Sequence, residues 1–582
     1  MTSVLLLSLY ALAAAAVGLG ARALGRPIPV IVLAVLALLP VALFSGAFFS
    51  DATILPADHV RLFAPWARPG GPPPRNPNLD DAITQFAPWE AAARDAWRRG
   101  ELPLRNRWNG GGAPLAANAQ SAAFSPVHLL ALALPLARAF TLIAAVHVLL
   151  AAAGMWLWAR ELGLSPGASL AAAPAWALSL AMTPWLLFPH TGVLCLWPWL
   201  MFLAERACEP VLATPVGVGL TAVLAWMFLA GHPESLALGA LFCAAWLLLR
   251  AALRRDARFL KGLVRVAACG ALAAALVAWL LVPVLHAVAR SNRLIGLSSL
   301  PWARFLSAAP HGPAWPKGPM QLLFPFTYGE AIGSPMLPDA PSGFPEIASG
   351  YAGLATAILA LLVLRPGRRR RETVALLVLA AAGVLVAIGQ WPFLEAVSRI
   401  PLLRFVVPDR LLTWAALALP LLAALELDRY ARDAAAGRTP WRALAVAGAG
   451  VAAAAVGWHA AHRGAHALAG GAAFQTRALA AACAVALALA AAGLVLRRRA
   501  AALCGAAALL IAGELLVDGR HLYRATPAAA LVPETPLAAF LRARAGAFRS
   551  AGAGPALFPG TNVFAGVQDV RTHDPLESRE YL

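Results

Sequence analysis

The stretch "AFTLIAAVHVLLAAAGMWLWAR", residues 139–160, decides the fold. It holds no Asp, Glu or Lys; its one formal charge, Arg160, closes it. A helix of about 20 apolar residues spans the hydrocarbon core of a bilayer. The same pattern recurs on both sides, at 2–20, 29–49, 167–188, 190–207, 212–230, 233–253, 262–287, 347–365, 372–389, 408–427, 441–459, 478–496 and 500–517. Counted by hydropathy, that is about 14 spans. The run at 125–137, "SPVHLLALALPLA", is too short to cross and is broken by Pro135, so it reads as re-entrant or interfacial.

Composition agrees. Of 582 residues, 60% are hydrophobic and 13% charged, and the mean hydropathy is +0.70. That charge is about half the share found in soluble domains and cannot cover a soluble surface of this size. The formal net charge of +19 lies almost wholly on Arg, since Lys stands only at Lys261 and Lys317. Such Arg bias fits a GC-rich bacterial genome. No basic face interleaved with aromatic residues is present, so nucleic acid is not a partner.

The basic residues set the sidedness. Arg22 and Arg26, Arg160, Arg206, the stretch Arg250–Lys261, "RPGRRRR" at 365–371, Arg429 to Arg442, and Arg497 to Arg499 all fall on one side of the threaded chain. The positive-inside rule makes that side the cytoplasm. The outer face then receives 51–124, 288–346, 390–407, 460–477 and the tail 518–582. The expected organisation is an N-terminal hairpin at 1–50, a large first outer loop at 51–124, a bundle over 125–517 and a small outer segment at 518–582. The first span has no basic n-region and ends in Arg, so it reads as a retained span. Cys195, Cys208, Cys243, Cys269, Cys483 and Cys504 lie in or beside apolar runs, without a CxxC spacing. They imply neither a disulfide frame nor a thiolate metal site.

The first outer loop breaks the apolar pattern. After the extended stretch "ARPGGPPPRNP" at 67–77 come two acids, Asp80 and Asp81. Pro88 opens a helix that stops at Gly100. Trp89, Ala93 and Trp97 share one face of it, while Arg94, Asp95, Arg98 and Arg99 fall elsewhere. That pattern predicts an interfacial helix lying flat with its Trp rings at headgroup level; an ordinary packed loop helix is the alternative. A carboxylate held there suits a general base toward a hydroxyl. The competing reading is that one Asp caps a short helix.

These residues also carry a resemblance. "DDAITQFAPW" at 80–89, followed by "RRGELPLRNRWNGGGAPLAANAQSAAFSP" at 98–126, resembles the first outer loop of the YfhO-like bacterial membrane proteins, of the GT-C superfamily of integral-membrane glycosyltransferases. The matching positions are Asp81, Gln85 and Pro88; Gly100, Leu102, Pro103 and Leu104; Gly110, Gly111, Gly112 and Pro114; and Phe124 with Pro126. Arg105 departs from the pattern, which prefers Trp there. "AGHPESLAL" at 230–238, "PLLRFVVPDRLLTWAALAL" at 401–419 and "FPGTNVFAGVQDVRTHDPL" at 558–576 extend it over most of the chain.

The resemblance implies an all-α polytopic protein, a GT-C-like bundle of about 12–14 spans, in a bacterial inner membrane. It implies transfer of a sugar from a polyprenyl-phosphate donor to an envelope glycan, lipid or protein on the outer face, with inversion. Asp81 takes the role of base, with Asp80 beside it and Gln85 in the same motif. For the donor phosphate the sequence offers His232 with Glu234, and Arg404 with Arg410, since guanidinium groups suit bidentate phosphate contact. Capping by His232, and snorkelling by the two arginines, are the plain alternatives. Arg290 and Arg293 are weaker candidates, and His59, His190 and His311 lie on outer segments without metal-ligand spacing. His459, His462 and His466 read as a solvated loop. No cofactor is required by the resemblance; a divalent cation at Asp81 with the phosphate is compatible with it. Related chains continue beyond the point that matches Leu582, so a missing module is expected. The rival readings are a transporter or flippase of lipid-linked envelope precursors, and a non-catalytic assembly protein. A transporter calls for ionisable residues in mid-span, whereas most charges here stand at span ends.

Overall fold

The computed structural model describes residues 2–68, 70–291, 322–324, 350–365, 370–387, 395, 399, 406–437, 441–461, 471–496, 499–546 and 548–578. Where described, each apolar run is helical. In chain order the main helices are α1 (Thr2–Ala23), α2 (Val30–Leu43), α3 (Ala87–Arg98), α4 (Pro126–Ala131), α5 (Leu136–Glu161), α6 (Pro166–Ala177), α7 (Pro189–Leu194) and α8 (Trp197–Arg206). There follow α9 (Thr214–Leu229), α10 (Pro233–Arg254), α11 (Arg258–Leu276), α12 (Ala278–Arg290), α13 (Leu354–Leu361) and α14 (Arg371–Ala387). The series continues with α15 (Leu412–Ala435), α16 (Trp441–Ala461), α17 (Gly471–Val495), α18 (Ala500–Arg520) and α19 (Pro536–Ala545).

Among the described residues, 5 helices are long and apolar enough to cross a membrane: α1, α5, α10, α11 and α18. Shorter apolar helices accompany them. The molecule is therefore an all-α polytopic membrane protein. Several runs are less continuous than hydropathy suggests. The run 262–287 divides at Val277 between α11 and α12, the run 167–188 stays in α6 only to Ala177, and 190–207 is two helices, α7 and α8. Pro189 and Pro198 sit at the starts of these pieces, where a missing N–H costs nothing. The run at 125–137 holds the short helix α4, and Pro135 then begins α5 instead of interrupting it.

The core forms around α5, whose membrane-length window is wholly buried. Helices α1, α2, α6 and α8 pack on it. Its Ala- and Gly-rich surface lets neighbours approach closely. At Gly154 the ring of Trp199 fills the space that a Cβ would need, and Trp199 Nε1 donates to Leu150 O at 2.8 Å.

The helix ends sort by charge as expected. At one end of the bundle, Arg26 pairs with Glu161 (2.9 Å), Arg365 with Asp433 (2.5 Å), and Arg250 lies between Glu205 (3.0 Å) and Glu372 (3.3 Å). Arg254 also bonds to Glu372. At the opposite end the start of α1 meets residues 50–51, through Thr2 with Asp51 and Ser3 with Ser50. The guanidinium of Arg138, at the start of α5, donates to the carbonyls of Ala47, Ser50 and Ala52.

Above this second end, the first loop and the tail interleave. Strand β1 (Ala52–Thr53) pairs antiparallel with Thr526–Pro527 of the tail, and β2 (Arg105–Asn106) with β3 (Ala113–Pro114). Asn109 Nδ2 donates to Asn562 Oδ1 (2.8 Å), and Asp569 N to Trp108 O (2.8 Å). Gly560, at φ 104°, passes so close to Thr84 that a Cβ would lie 2.0 Å from its carbonyl oxygen. Only glycine satisfies both demands there.

The interfacial reading of α3 is overturned. Trp89 and Ala93 are buried in protein, against Leu115 and Ala123, and so cannot face headgroups. Arg94, assigned to the polar face, is also buried: it pairs with Glu90 (2.7 Å) and donates to Ala131 O (2.7 Å) at the end of α4. His128 meets the other Glu90 oxygen at 2.8 Å. Burial opposes charge on Glu90, but His128 and Arg94 outweigh it and hold the carboxyl below its usual range. The helix is docked by an internal ion cluster.

Candidate active site

Between the first loop, the tail and the ends of three bundle segments lies a cleft of about 420 Å³. Its lining includes Asp80, Asp81, Gln85, His232 and Arg410, all predicted from sequence, and it sits at the end of the bundle opposite the arginine clusters.

The two acids stand where the chain passes from the 3₁₀ turn Pro77–Leu79 into a π turn, Ala82–Phe86. Such π turns recur at functional sites. The capping alternative does not hold for Asp81: its carboxylate makes no cap bond. Instead Asp81 Oδ1 accepts from Gln85 Nε2 at 2.6 Å, and Gln85 Nε2 also reaches His573 Nε2 at 3.1 Å. Asp80 is exposed and accepts from the Asp81 backbone N (2.9 Å). Burial raises the Asp81 pKa to about 6; the Asp80 charge adds to this and the Gln85 bond works against it. His573 is pushed the other way, below its ordinary value, chiefly by burial. A neutral His573 accepting at Nε2 matches the proton that Gln85 directs at it.

His232 both caps and lines. Its Nδ1 accepts from Ser235 N (3.2 Å) at the start of α10, while its ring borders the cleft. Its Nε2 lies 3.2 Å from His190 Nδ1. His190 stacks on Trp185, with centroids 4.7 Å apart and planes at 16°. Gly231, at φ 87°, lets this corner come against the backbone of 119–122.

Arg410 lines the cleft, but it is not a bare cation. Glu234 Oε2 bonds its Nη1, and Glu234 Oε1 takes the Val407 backbone N at 2.8 Å. Glu234 is thus behind the cleft wall, holding Arg410 in place. Arg404 lies outside the described residues, as do Arg293, His311, His462 and His466; the side chain of His459 is likewise not described. Arg290 is exposed at the end of α12, near His286, and does not line the cleft. His59 and His190 are buried rather than facing solvent, His59 against Asn76 O at 2.8 Å.

Several lining residues had no role assigned from sequence: Asn78, Gln120, Trp185, Phe188, His573 and Asp574. His573 and Asp574 sit in "RTHDPL", a stretch that carries the resemblance but suggested no chemistry. Rings of Phe86, Phe188 and Trp185 touch in sequence, at 5.0 and 5.1 Å, and form an aromatic wall. Among the described residues no group of three or more His, Cys, Asp or Glu is placed to hold a metal ion.

No family model matches the chain, and no curated protein matches it. Among solved structures it is similar to ArnT from Cupriavidus metallidurans bound to undecaprenyl phosphate. The identity is 13% and the TM-score 0.42, with 93% of this chain and 85% of that chain covered.

Proposed function

We propose that this protein is a GT-C-type glycosyltransferase of the bacterial inner membrane. It takes a sugar from a polyprenyl-phosphate carrier and passes it to an envelope acceptor on the outer face. The observation that carries the reading is the Asp81 carboxylate. It is held in a cleft at the end of the bundle away from the basic clusters, with its pKa raised to about 6.

The chemistry follows from that placement. Gln85 occupies Oδ1 of Asp81, which leaves Oδ2 to receive a proton. An acceptor hydroxyl gives its proton to Asp81 as its oxygen attacks the anomeric carbon. The bond from that carbon to the carrier's phosphate oxygen breaks, and the lipid phosphate leaves with the electron pair. Attack opposite the leaving group inverts the anomeric centre. A base with a pKa near 6 is ionised at neutral pH yet stronger than an ordinary carboxylate, which suits the task. Arg410 and His190 line the same cleft and serve as donors for the leaving phosphate, with His232 fixing the His190 ring through their 3.2 Å contact. The wall of Phe86, Phe188 and Trp185 offers ring faces to the C–H groups of a sugar. The resemblance of the first loop to YfhO-like proteins supports the same reading.

The test uses the full chain in nanodiscs with a polyprenyl-phosphate-linked sugar. Asp81→Asn should cut transfer by roughly 10²–10⁴-fold, the usual contribution of a positioned base, while donor binding persists. Full transfer by a chain carrying both Asp81→Asn and Asp80→Asn rejects the assignment.

A further inference from the structure

A second cleft, of about 290 Å³, lies on the other side of the segment that carries the two acids. Asn78, Asp80 and Asp81 line the first cleft; Asn76 and Leu79 line the second. Its remaining walls come from Arg75 and from residues 54–61 and 522–530, which include Arg61 and Arg524.

Charge in this cleft is unbalanced. Its lining holds three arginines against one acid, Asp58. Asp58 Oδ2 is taken by the backbone N of Arg75 (2.7 Å), not by a guanidinium. Among the described residues none of the three guanidinium groups has an ion pair or side-chain hydrogen bond. At the far end of the bundle Arg26, Arg250 and Arg365, by contrast, are each paired with a carboxylate. All three arginines are exposed, so their guanidinium groups are open to a ligand. Like charges gathered on one concave wall repel one another, and an anion seated among them removes that cost. Guanidinium groups are donors suited to phosphate oxygens.

Height narrows the ligand further. Arg520, at the end of α18, donates through Nε (3.0 Å) and Nη2 (2.7 Å) to Ala42 O near the end of α2. The Tyr523 ring meets Phe44 at 5.9 Å. The cleft therefore begins where two apolar helices end, at the level of lipid headgroups. Ile54, Leu79 and Leu522 give it an apolar floor beneath the charges.

We infer that this second cleft binds a phosphate group, presented by an anionic lipid at the membrane surface, through Arg61, Arg75 and Arg524. The site is separate from the proposed transfer cleft and does not depend on what Asp81 does.

The experiment is native mass spectrometry of the full chain released from detergent, titrated with phosphatidylglycerol and, separately, with inorganic phosphate. Wild type should retain bound lipid. A triple variant Arg61→Ala, Arg75→Ala, Arg524→Ala should weaken retention by about tenfold or more, the scale set by losing charge-assisted bonds. A control triple at arginines of the same loop that do not line the cleft, Arg98→Ala, Arg99→Ala and Arg105→Ala, should leave retention within about twofold, because charges scattered outside a shared wall are screened. Asp81→Asn should also retain the lipid. Saturation by inorganic phosphate alone, lost in the same triple variant, assigns the site to a free phosphate and keeps its chemistry. Equal loss in the control triple, or no retention by wild type, overturns the proposal.

Discussion

The two ends of the bundle treat charge in opposite ways. At the arginine-rich end Arg250 is buried between Glu205 and Glu372, and Trp246 Nε1 donates to Glu205 as well (2.6 Å). Arg250, Glu205 and Glu372 hold one another there, and such a cluster orders helix ends without being free to react. At the other end Asp81 is half-buried beside a second acid, and its carboxylate accepts from the neutral amide of Gln85. A buried acid without a cation raises its pKa and keeps a proton site available. The contrast teaches that a buried acid's pKa is set by whether an opposite charge stands beside it.

That contrast can be broken by substitution, beginning with the largest effect. Arg250→Ala strands Glu205 inside the protein without a cation, while Glu372 keeps Arg254, and should cost about 3–5 kcal/mol of stability. Unfolding in a mixed-detergent series measures it, and a loss near zero removes the structural role given to the cluster. Asp81→Asn should do the reverse. The folded-state pKa of Asp81 is raised, so its contribution to stability is full below the ordinary value of 3.8 and is lost as pH rises through about 6. The Asn variant escapes that loss, and should gain roughly 1–3 kcal/mol over wild type at pH 8. The gain should shrink toward nothing near pH 4, as melting curves at the two pH values will show. The smallest effect belongs to Asp80→Asn. Removing the neighbouring charge lowers the Asp81 pKa, so the acid limb of the transfer rate should move below pH 6. A limb that stays in place means that burial alone sets the pKa.

Much of the architecture could be read before any coordinates. The apolar runs became helices because a bilayer leaves the backbone no other way to satisfy its polar groups. Among the described residues, Arg26, Arg250, Arg254 and Arg365 meet their partners at one end of the bundle, because each follows or precedes a span there. The family motif already named Asp81 and Gln85 together, and the structure bonds them. Other features were hidden for physical reasons. His573 lies 488 residues from Gln85, and no local pattern announces such a contact. Arg94 looked like a surface residue because an arginine on a polar stripe normally is one; its partners Glu90 and the carbonyls of α4 decide otherwise. Trp89 and Trp97 have the composition of a membrane-interface helix, yet tertiary packing against Leu115, Ala123 and Phe124 takes those rings. Breaks such as that at Val277 carry no proline at the break itself, and hydropathy runs straight through them.

The account rests on which side of the membrane the acid cleft opens. Two single-cysteine chains decide it, with the six native cysteines replaced by Ala: Gln120→Cys in the cleft wall and Glu209→Cys beside the arginine-rich end. Intact cells are treated with a membrane-impermeant maleimide. The prediction is that Cys at 120 labels from outside and Cys at 209 labels only after the membrane is opened. The reverse pattern would contradict the proposed outer-face reaction at its root.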